Sequence, residues 1–534
     1  MKRKPCFIAL LLCLAIAQAS YAQPTMVFWL GQRQNLFLTN PAEAKKIFSG
    51  LGVGIVTLGS GCCGDKVSTN PANLDRAVEN LNRAGAKVNL VMAHLEMDEQ
   101  IKKFLPVDEF GKSISRGCPA CDLPFDIFNP SVRKAYLQVV ENLTRRYGND
   151  GRVSGFTLFG PGPMIEWEYY FSNWKDPKFP AYSSSAQNRF RRYLQGKYPD
   201  LPRVNARWGT IFASWDEIPV PRPLAKFQEG SFDLRPEWSD FVDWYQSELL
   251  LFLEETLQTA RKNTGKPVLV LFASTYGFLQ GRAGVSWGKI VKAISKYNPV
   301  AIKSNGTEKM ITAYARKITS FYRVGLWLES PQIKSMEVID SLVGDASGFN
   351  VDFIHVNSLT SLLELFGEDL PAMKNHILLV KPVARQTRNV VFLHNATAGF
   401  LQFQKDHGVL DYQNIDLIAS YASGPLWKNT LNIGQYLGLP DVLDETLVND
   451  GALNAYGTLI IPNRYPFILT TDTMDKILLW VRQGGTLIYV NKGYVLDEAA
   501  MRLIDADDFV APYAVDPAGV IKLSKLEDIK AIFK

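Results

Sequence analysis

From residue 24 to about 360 the chain alternates short apolar runs with longer stretches in which apolar residues recur every three or four positions. The apolar runs are MVFWLG (26–31), VGIVTLGSG (53–61), KVNLVMAH (87–94), VSGFTLFG (153–160), PVLVLFAST (267–275), PVAIKSNG (299–306), RVGLWLES (323–330) and NVDFIHVNS (350–358). Most of them end on Gly, Ser, Asn, His or Glu. Helical patterns such as NLDRAVENLNRAG, SVRKAYLQVVENLTRRYG and EKMITAYARKITSF lie between them; in the last, Met310, Ala313, Tyr314 and Ile318 keep a helical period. Strands buried on both faces read as continuous apolar runs. Eight strand-then-helix units therefore predict a (β/α)₈ barrel, whose C-terminal strand ends form the mouth where chemistry is done.

The pattern resets near GEDLPAMKNH, residues 367–376. Beyond it ILLVKPV, NVVFLHNAT, YGTLIIPN and TLIYVN read as strands, and PLWKNTLNIGQYLG and TTDTMDKILLWVRQGG as helices, the last with Thr at its start and Gly at its end. This predicts a smaller doubly wound α/β domain. The expected division is a processing signal over 1–22, a barrel over 23–370, the second domain over 371–503 and a weakly patterned tail over 504–534.

Composition narrows the class. The chain has 534 residues, 47% of them hydrophobic, which allows a large core. The first 22 residues have a basic start, an apolar run and the small-x-small end Ser20-Tyr21-Ala22, which predicts cleavage after Ala22 and export to the periplasm or medium. That leader carries Lys2, Arg3 and Lys4 and no acid, so its removal lowers the net charge from +5 to about +2. No basic stripe marks a nucleic-acid partner, and no later segment is long and apolar enough to span a bilayer. Four cysteines remain outside the leader, Cys62, Cys63, Cys118 and Cys121, which could pair as disulfides, hold a structural metal or stay free. The 11 Trp, 21 Tyr and 30 Phe suit core packing and equally suit a sugar-binding cleft.

The chemistry that stands out is carboxylic. VGLWLE ends on Glu329, at a predicted barrel mouth, and GPGPMIEWEYY after strand four offers Glu166 and Glu168 among aromatic residues. Glycoside hydrolysis needs two carboxyl groups, one to protonate the leaving oxygen and one to attack the anomeric carbon or activate water. Other strand-end residues that could bind sugar are Trp29, Arg33, His94, Glu96, Tyr276, Asn305 and Trp327. Trp327 is equally a core residue by its alternation with Leu326 and Leu328, and His355 inside an apolar run reads as a core histidine. With only five His and no HExxH, Walker or GxSxG motif, no metal or cofactor is expected.

The stretch RFRRYLQGKY, then VNARWGT, SWDEIPVP and PEWSDFVDWYQSELLLFLEETL, resembles the family 42 β-galactosidases of the retaining (β/α)₈ glycosidases. The upstream CDLPFDIFNPSVRKAYLQVVENLTRRYGNDGRVSGFTL resembles the same family's approach to strand four. The resemblance implies a β-galactoside-like carbohydrate substrate, Glu329 as nucleophile, and a flavodoxin-like second domain of the kind that assembles that family's trimers. One departure is clear: the family's Asn-Glu pair after strand four is replaced here by Gly160-Pro161. The GPGPMIE run instead resembles the strand-four loop of β-amylases, with Gly162, Pro163 and Glu166 at matching spacing and Ile165 in place of a Gly. That second resemblance implies Glu166 as acid/base, with Glu168 in reserve. A glycosidase of other specificity, for a β-mannoside, an arabinoside or a polysaccharide fragment, is the alternative among enzymes, and a non-catalytic sugar-binding barrel is the alternative from another class.

Overall fold

The structure is a computed structural model that describes residues 24–30, 39–58, 71–92, 104–114, 125–158, 160, 179–223, 233–271, 286–305, 309–330, 333–356, 359–366, 369–381, 389–394, 440–462, 467–490, 492–513, 519–524 and 528–533. Eight parallel strands close into a barrel: β1 (Thr25–Trp29), β2 (Ile55–Leu58), β3 (Lys87–Met92), β4 (Val153–Leu158), β5 (Val268–Val270), β6 (Val300–Asn305), β7 (Gly325–Glu329) and β8 (Phe353–Val356). Each strand pairs with its sequence neighbours, and β8 pairs back onto β1 through Met26↔Ile354 and Val27↔His355. All eight predicted strands are present.

Side chains along these strands alternate between two environments, as a period of two requires, except at the start of β4, where a register shift against β3 puts Val153 on the same side as Phe156. Phe28, Val56, Leu58, Val88, Leu90, Phe156, Leu158, Val268, Val270, Ile302, Leu326, Leu328, Ile354 and Val356 belong to the large core between strands and helices. Val27, Leu269, Leu271, Ala301 and Trp327 form a separate cluster inside the barrel, with Trp29, Ile55, Val91 and Phe353 against it. The inner face mixes this apolar cluster with polar residues of the same parity, Thr57, Asn89, Thr157, Lys303, Glu329 and His355.

The surrounding helices start where their sequences say they should. Helix α1 (Pro41–Leu51) is capped by the Asn40 side chain, which accepts from the Glu43 amide, and ends at Gly52 with φ +69°. The others used below are α2 (Pro71–Arg83), α3 (Pro130–Tyr147), α4 (Ser184–Lys197), α5 (Leu201–Trp208), α6 (Pro236–Arg261), α7 (Trp287–Ile294), α8 (Lys309–Tyr322) and α9 (Met336–Gly348).

The long insertion after β4 is organised around one buried acid. Asp240 on α6 is 0% exposed and accepts hydrogen bonds from Tyr198 Oη (2.8 Å) and Trp208 Nε1 (2.8 Å). Lys197 Nζ approaches its other oxygen to 2.8 Å. Asn205 closes the next turn, accepting from the Phe212 amide and the Thr210 hydroxyl. The residues of LQGKY, VNARWGT and PEWSD therefore build one scaffold joining α4, α5 and α6. Asp240→Ala is expected to cost roughly 2 kcal/mol of stability, because it leaves two half-buried donors, Tyr198 Oη and Trp208 Nε1, without their acceptor, while Lys197 keeps Asp243. A melting temperature within a degree of the parent would refute this.

The second region contains a five-stranded all-parallel sheet of β9 (Val390–His394), β10 (Asp441–Asp444), β11 (Thr458–Ile461), β13 (Thr486–Val490) and β16 (Val520–Leu523). A three-stranded sheet of β12 (Phe467–Thr470), β14 (Gly493–Asp497) and β15 (Arg502–Asp505) accompanies it. The larger sheet runs β10-β9-β11-β13-β16, which within the domain is the order 2-1-3-4-5 of flavodoxin-like folds. The predicted strands NVVFLHNAT, YGTLIIPN and TLIYVN are β9, β11 and β13, and TTDTMDKILLWVRQGG contains a helix over Thr471–Arg482, capped by Thr470. Two expectations are corrected. ILLVKPV is not a strand: its first three residues end a helix, Leu370–Leu379, capped by Asp369 and carrying Pro371 in its first turn. The segment 504–534 is not merely a tail, since β16 within it is the fifth strand of the sheet. The predicted helix PLWKNTLNIGQYLG lies outside the described residues.

Candidate active site

Glu329 is the last residue of β7, and its parity with Trp327 turns it to the inside of the barrel. Its Oε2 accepts from Lys303 Nζ at 2.6 Å. Lys303 is 4% exposed, so its ammonium is withdrawn from bulk water and directed at the one carboxylate. An opposite charge at this distance favours the ionised form of the acid. Such a carboxylate is fitted to attack or to take a proton, and unfitted to donate one.

His355, on β8, sits beside the pair. Its Nε2 and the Thr57 hydroxyl share a hydrogen bond of 3.3 Å. Asn89 Nδ2 donates to Thr57 (3.4 Å) and to Thr157 (2.6 Å), so one polar chain runs β4-β3-β2 and ends on β8. The Trp29 ring lies 5.5 Å from the His355 ring, and Trp327 lies 4.5 Å from Phe353 and 6.1 Å from His355. Trp327 is therefore both barrel core and floor of the mouth. Among the described residues His355 Nδ1 and Trp327 Nε1 have no hydrogen-bond partner.

Burial lowers the His355 imidazole from its ordinary 6.5 to about 4; the Glu329 carboxylate opposes this and the Lys303 ammonium reinforces it. The ring is thus neutral across the working range of most enzymes. Between pH 6.5 and 4 the unfolded chain takes up a proton that the folded imidazole refuses, so stability from this group is full above pH 6.5 and falls as pH drops, by roughly 3 kcal/mol over the window. Asp126 works the other way: burial raises it from 3.8 to about 6, so its folded form keeps a proton that the unfolded form has lost. The His355 contribution is isolated by comparison with His355→Gln. Melting temperature should fall more steeply from pH 7 to pH 5 in the parent than in the variant, and equal slopes would rule the effect out.

Of the predicted site residues, the barrel brings Glu329, Trp29 and Trp327 together at one end, with His355, expected as a core histidine, beside them. Asn305 lies at the register position beside Glu329 on β6. Glu166, Glu168, Arg33, His94, Glu96 and Tyr276 lie outside the described residues, as do the four cysteines. Lys303, Thr57, Asn89 and Thr157 were not singled out from sequence. A usable signal existed for Lys303: in VAIKSN it is the one charged residue in an otherwise buried strand, at the parity of Ala301 and Asn305. No described helix is long and apolar enough to cross a membrane.

The β-galactosidase profile of glycoside hydrolase family 42 matches residues 68–280. The chain is similar to the family 42 β-galactosidases. It is also similar to amylases: the β/α-amylase of Paenibacillus polymyxa is 31% identical over 135 residues, which cover 24% of this chain and 11% of that protein. Across the curated amylases and β-galactosidases that it matches, the aligned part spans between 11% and 28% of the relative's length. Among solved structures, the β-galactosidase from Bacillus circulans sp. alkalophilus superposes with a TM-score of 0.62 at 15% identity, over 88% of this chain and 71% of that one. The catalytic domain of β-amylase from Paenibacillus polymyxa superposes with a TM-score of 0.51 at 16% identity, over 67% of this chain and 99% of that one. These superpositions establish the family 42-like fold, a barrel followed by a second α/β region, and the barrel it shares with a β-amylase.

Proposed function

We propose that this protein is a glycoside hydrolase that removes terminal β-linked sugars, of β-galactoside type, with two carboxyl groups. The observation that carries this reading is Glu329: an acid on the inner face of a barrel mouth, paired with a buried ammonium that favours its charged form, with tryptophans beside it. Glu329 is the nucleophile and Glu166 the acid/base. Retention of configuration follows from the likeness to family 42, as do the homo-oligomer, a trimer, and the role of the second domain in forming it. Export to the periplasm or beyond follows from the leader, with cleavage after Ala22. The likeness to amylases supports one second reading, an inverting enzyme in which the two carboxyl groups stand further apart and Glu329 activates water instead.

The test is a panel of aryl glycosides offered to the leaderless full chain, with the product anomer followed by NMR. Release of β-galactose as the first-formed anomer from an aryl β-galactoside supports the proposal. First formation of the α-anomer replaces retention with inversion. In Glu166→Gln, azide should restore turnover of an activated aryl substrate and yield the β-glycosyl azide. Binding of oligosaccharides with no cleavage of any panel member would leave a sugar-binding barrel in place of an enzyme.

A further inference from the structure

The second region meets the barrel half in several places, among them Arg207 on the carbonyls of Glu498 and Ala499 and Leu234 against Ile468 and Leu496; the residues that receive its segment 441–450 lie behind the Lys303–Glu329 pair. Asp444, at the end of β10, is 1% exposed and accepts from Tyr314 Oη on α8 at 3.0 Å. The Gly288 amide on α7 also donates to this carboxylate. The fit there is backbone-close: a Cβ on Gly288 would sit 2.4 Å from Asp444 Oδ2 and 2.6 Å from Thr446 Cβ. Around it, Asp450 takes Lys292 Nζ at 2.7 Å and Tyr322 Oη at 2.8 Å, and Lys317 lies 4.7 Å above the Tyr456 ring, whose hydroxyl donates to Asp441.

The place of these contacts in the topology gives them their meaning. Helix α7 leads into β6, and α8 joins β6 to β7. Lys303 stands on the strand before α8 and Glu329 on the strand after it. Tyr314 is in the middle of α8, and the same helix packs on both strands. A tilt of α8 therefore changes the separation of the two charges, and Asp441, Asp444 and Asp450 of segment 441–450, together with Tyr456, hold α8 from outside.

We propose that segment 441–450 is a clasp that sets the Lys303–Glu329 geometry through α8, with Tyr314 and Asp444 as positioning residues. The catalytic consequence rests on the hydrolase reading above; the mechanical one does not. Tyr314→Phe and Asp444→Ala in the full chain are compared with Gly493→Ala, which destabilises the second region elsewhere, since its Cβ would fall 2.0 Å from the Phe467 ring. In the clasp variants amides of residues 300–305 and 325–329 should exchange with deuterium about tenfold faster, while those of β2 and β3 keep their rates. On a cleaved substrate the same variants should lose about 10- to 100-fold in kcat with KM changed by less than about twofold, and their acid limb should move to higher pH. Faster exchange confined to 441–450, or the same pattern in Gly493→Ala, overturns the clasp. If the parent hydrolyses nothing, the exchange data still decide it, so failure of the hydrolase reading remains separate.

Discussion

Glu329→Gln is expected to lower kcat by about 10⁴-fold or more while sugar affinity stays within about tenfold of the parent. The change is nearly isosteric. The amide oxygen can still accept from Lys303, so the shape of the mouth and its hydrogen bond survive. What disappears is the negative charge and the oxygen nucleophile. Ordinary binding uses the aromatic walls and polar hydroxyl partners, which remain. The separation between turnover and affinity is thus the diagnostic quantity, read by initial rates on an aryl glycoside and by calorimetric titration with a non-cleaved oligosaccharide. A variant retaining a tenth of parental activity would remove Glu329 from the reaction.

Lys303→Met should be nearly as damaging, for an electrostatic reason. Methionine keeps the length and apolar stem of lysine, so packing inside the barrel is little changed. The ammonium 2.6 Å from Glu329 is lost. The charged form of the acid is then favoured less, and the protonated form, which cannot attack, persists to higher pH. The acid limb of kcat/KM therefore moves upward. At the parental optimum the rate should fall by about 10²-fold, in the range seen for removal of a preorganised charge partner. Lys303→Arg, which keeps the charge, should restore the position of the acid limb even where its bulk lowers the rate. A Lys303→Met profile with an unmoved acid limb would show that the pair is structural only.

Much of this architecture was legible because barrel strands leave a strong trace. Each is an apolar run bounded by turn residues, and all eight were marked by that trace. The position of Glu329 was legible for the same reason, since a strand that ends on an acid has one place to put it. Lys303 was overlooked because the residues at run ends drew attention, whereas it stands two positions earlier, on the inward parity of β6. Alternation within a run identifies such residues once inside and outside are distinguished, and a doubly buried strand hides that distinction. ILLVKPV misled because three consecutive apolar residues close a helix whose cap, Asp369, lies eight residues upstream of Ile377. β10 (DVLD), β15 (RLID) and β16 (VIKL) set charged residues among two or three apolar ones, so no continuous apolar run marks them. The motifs behind the family likeness proved to be scaffold: Tyr198, Trp208 and Asp240 hold three helices together. Function in such a fold rests on a few inward side chains, and the longest matching sequence need not contain them.

The pairing of β8 with β1 sets the order in which the molecule can come into being. β1 begins at Thr25 and its second neighbour is Phe353–Val356, so the ring stays open on the ribosome until some 330 residues have followed the first strand. Until then β1 presents an unpaired edge. The contacts that close the ring are among the most distant in sequence, which makes closure slow. The clasp at 441–450 emerges later still, so Lys303 and Glu329 reach their final separation only after most of the chain has left the exit tunnel.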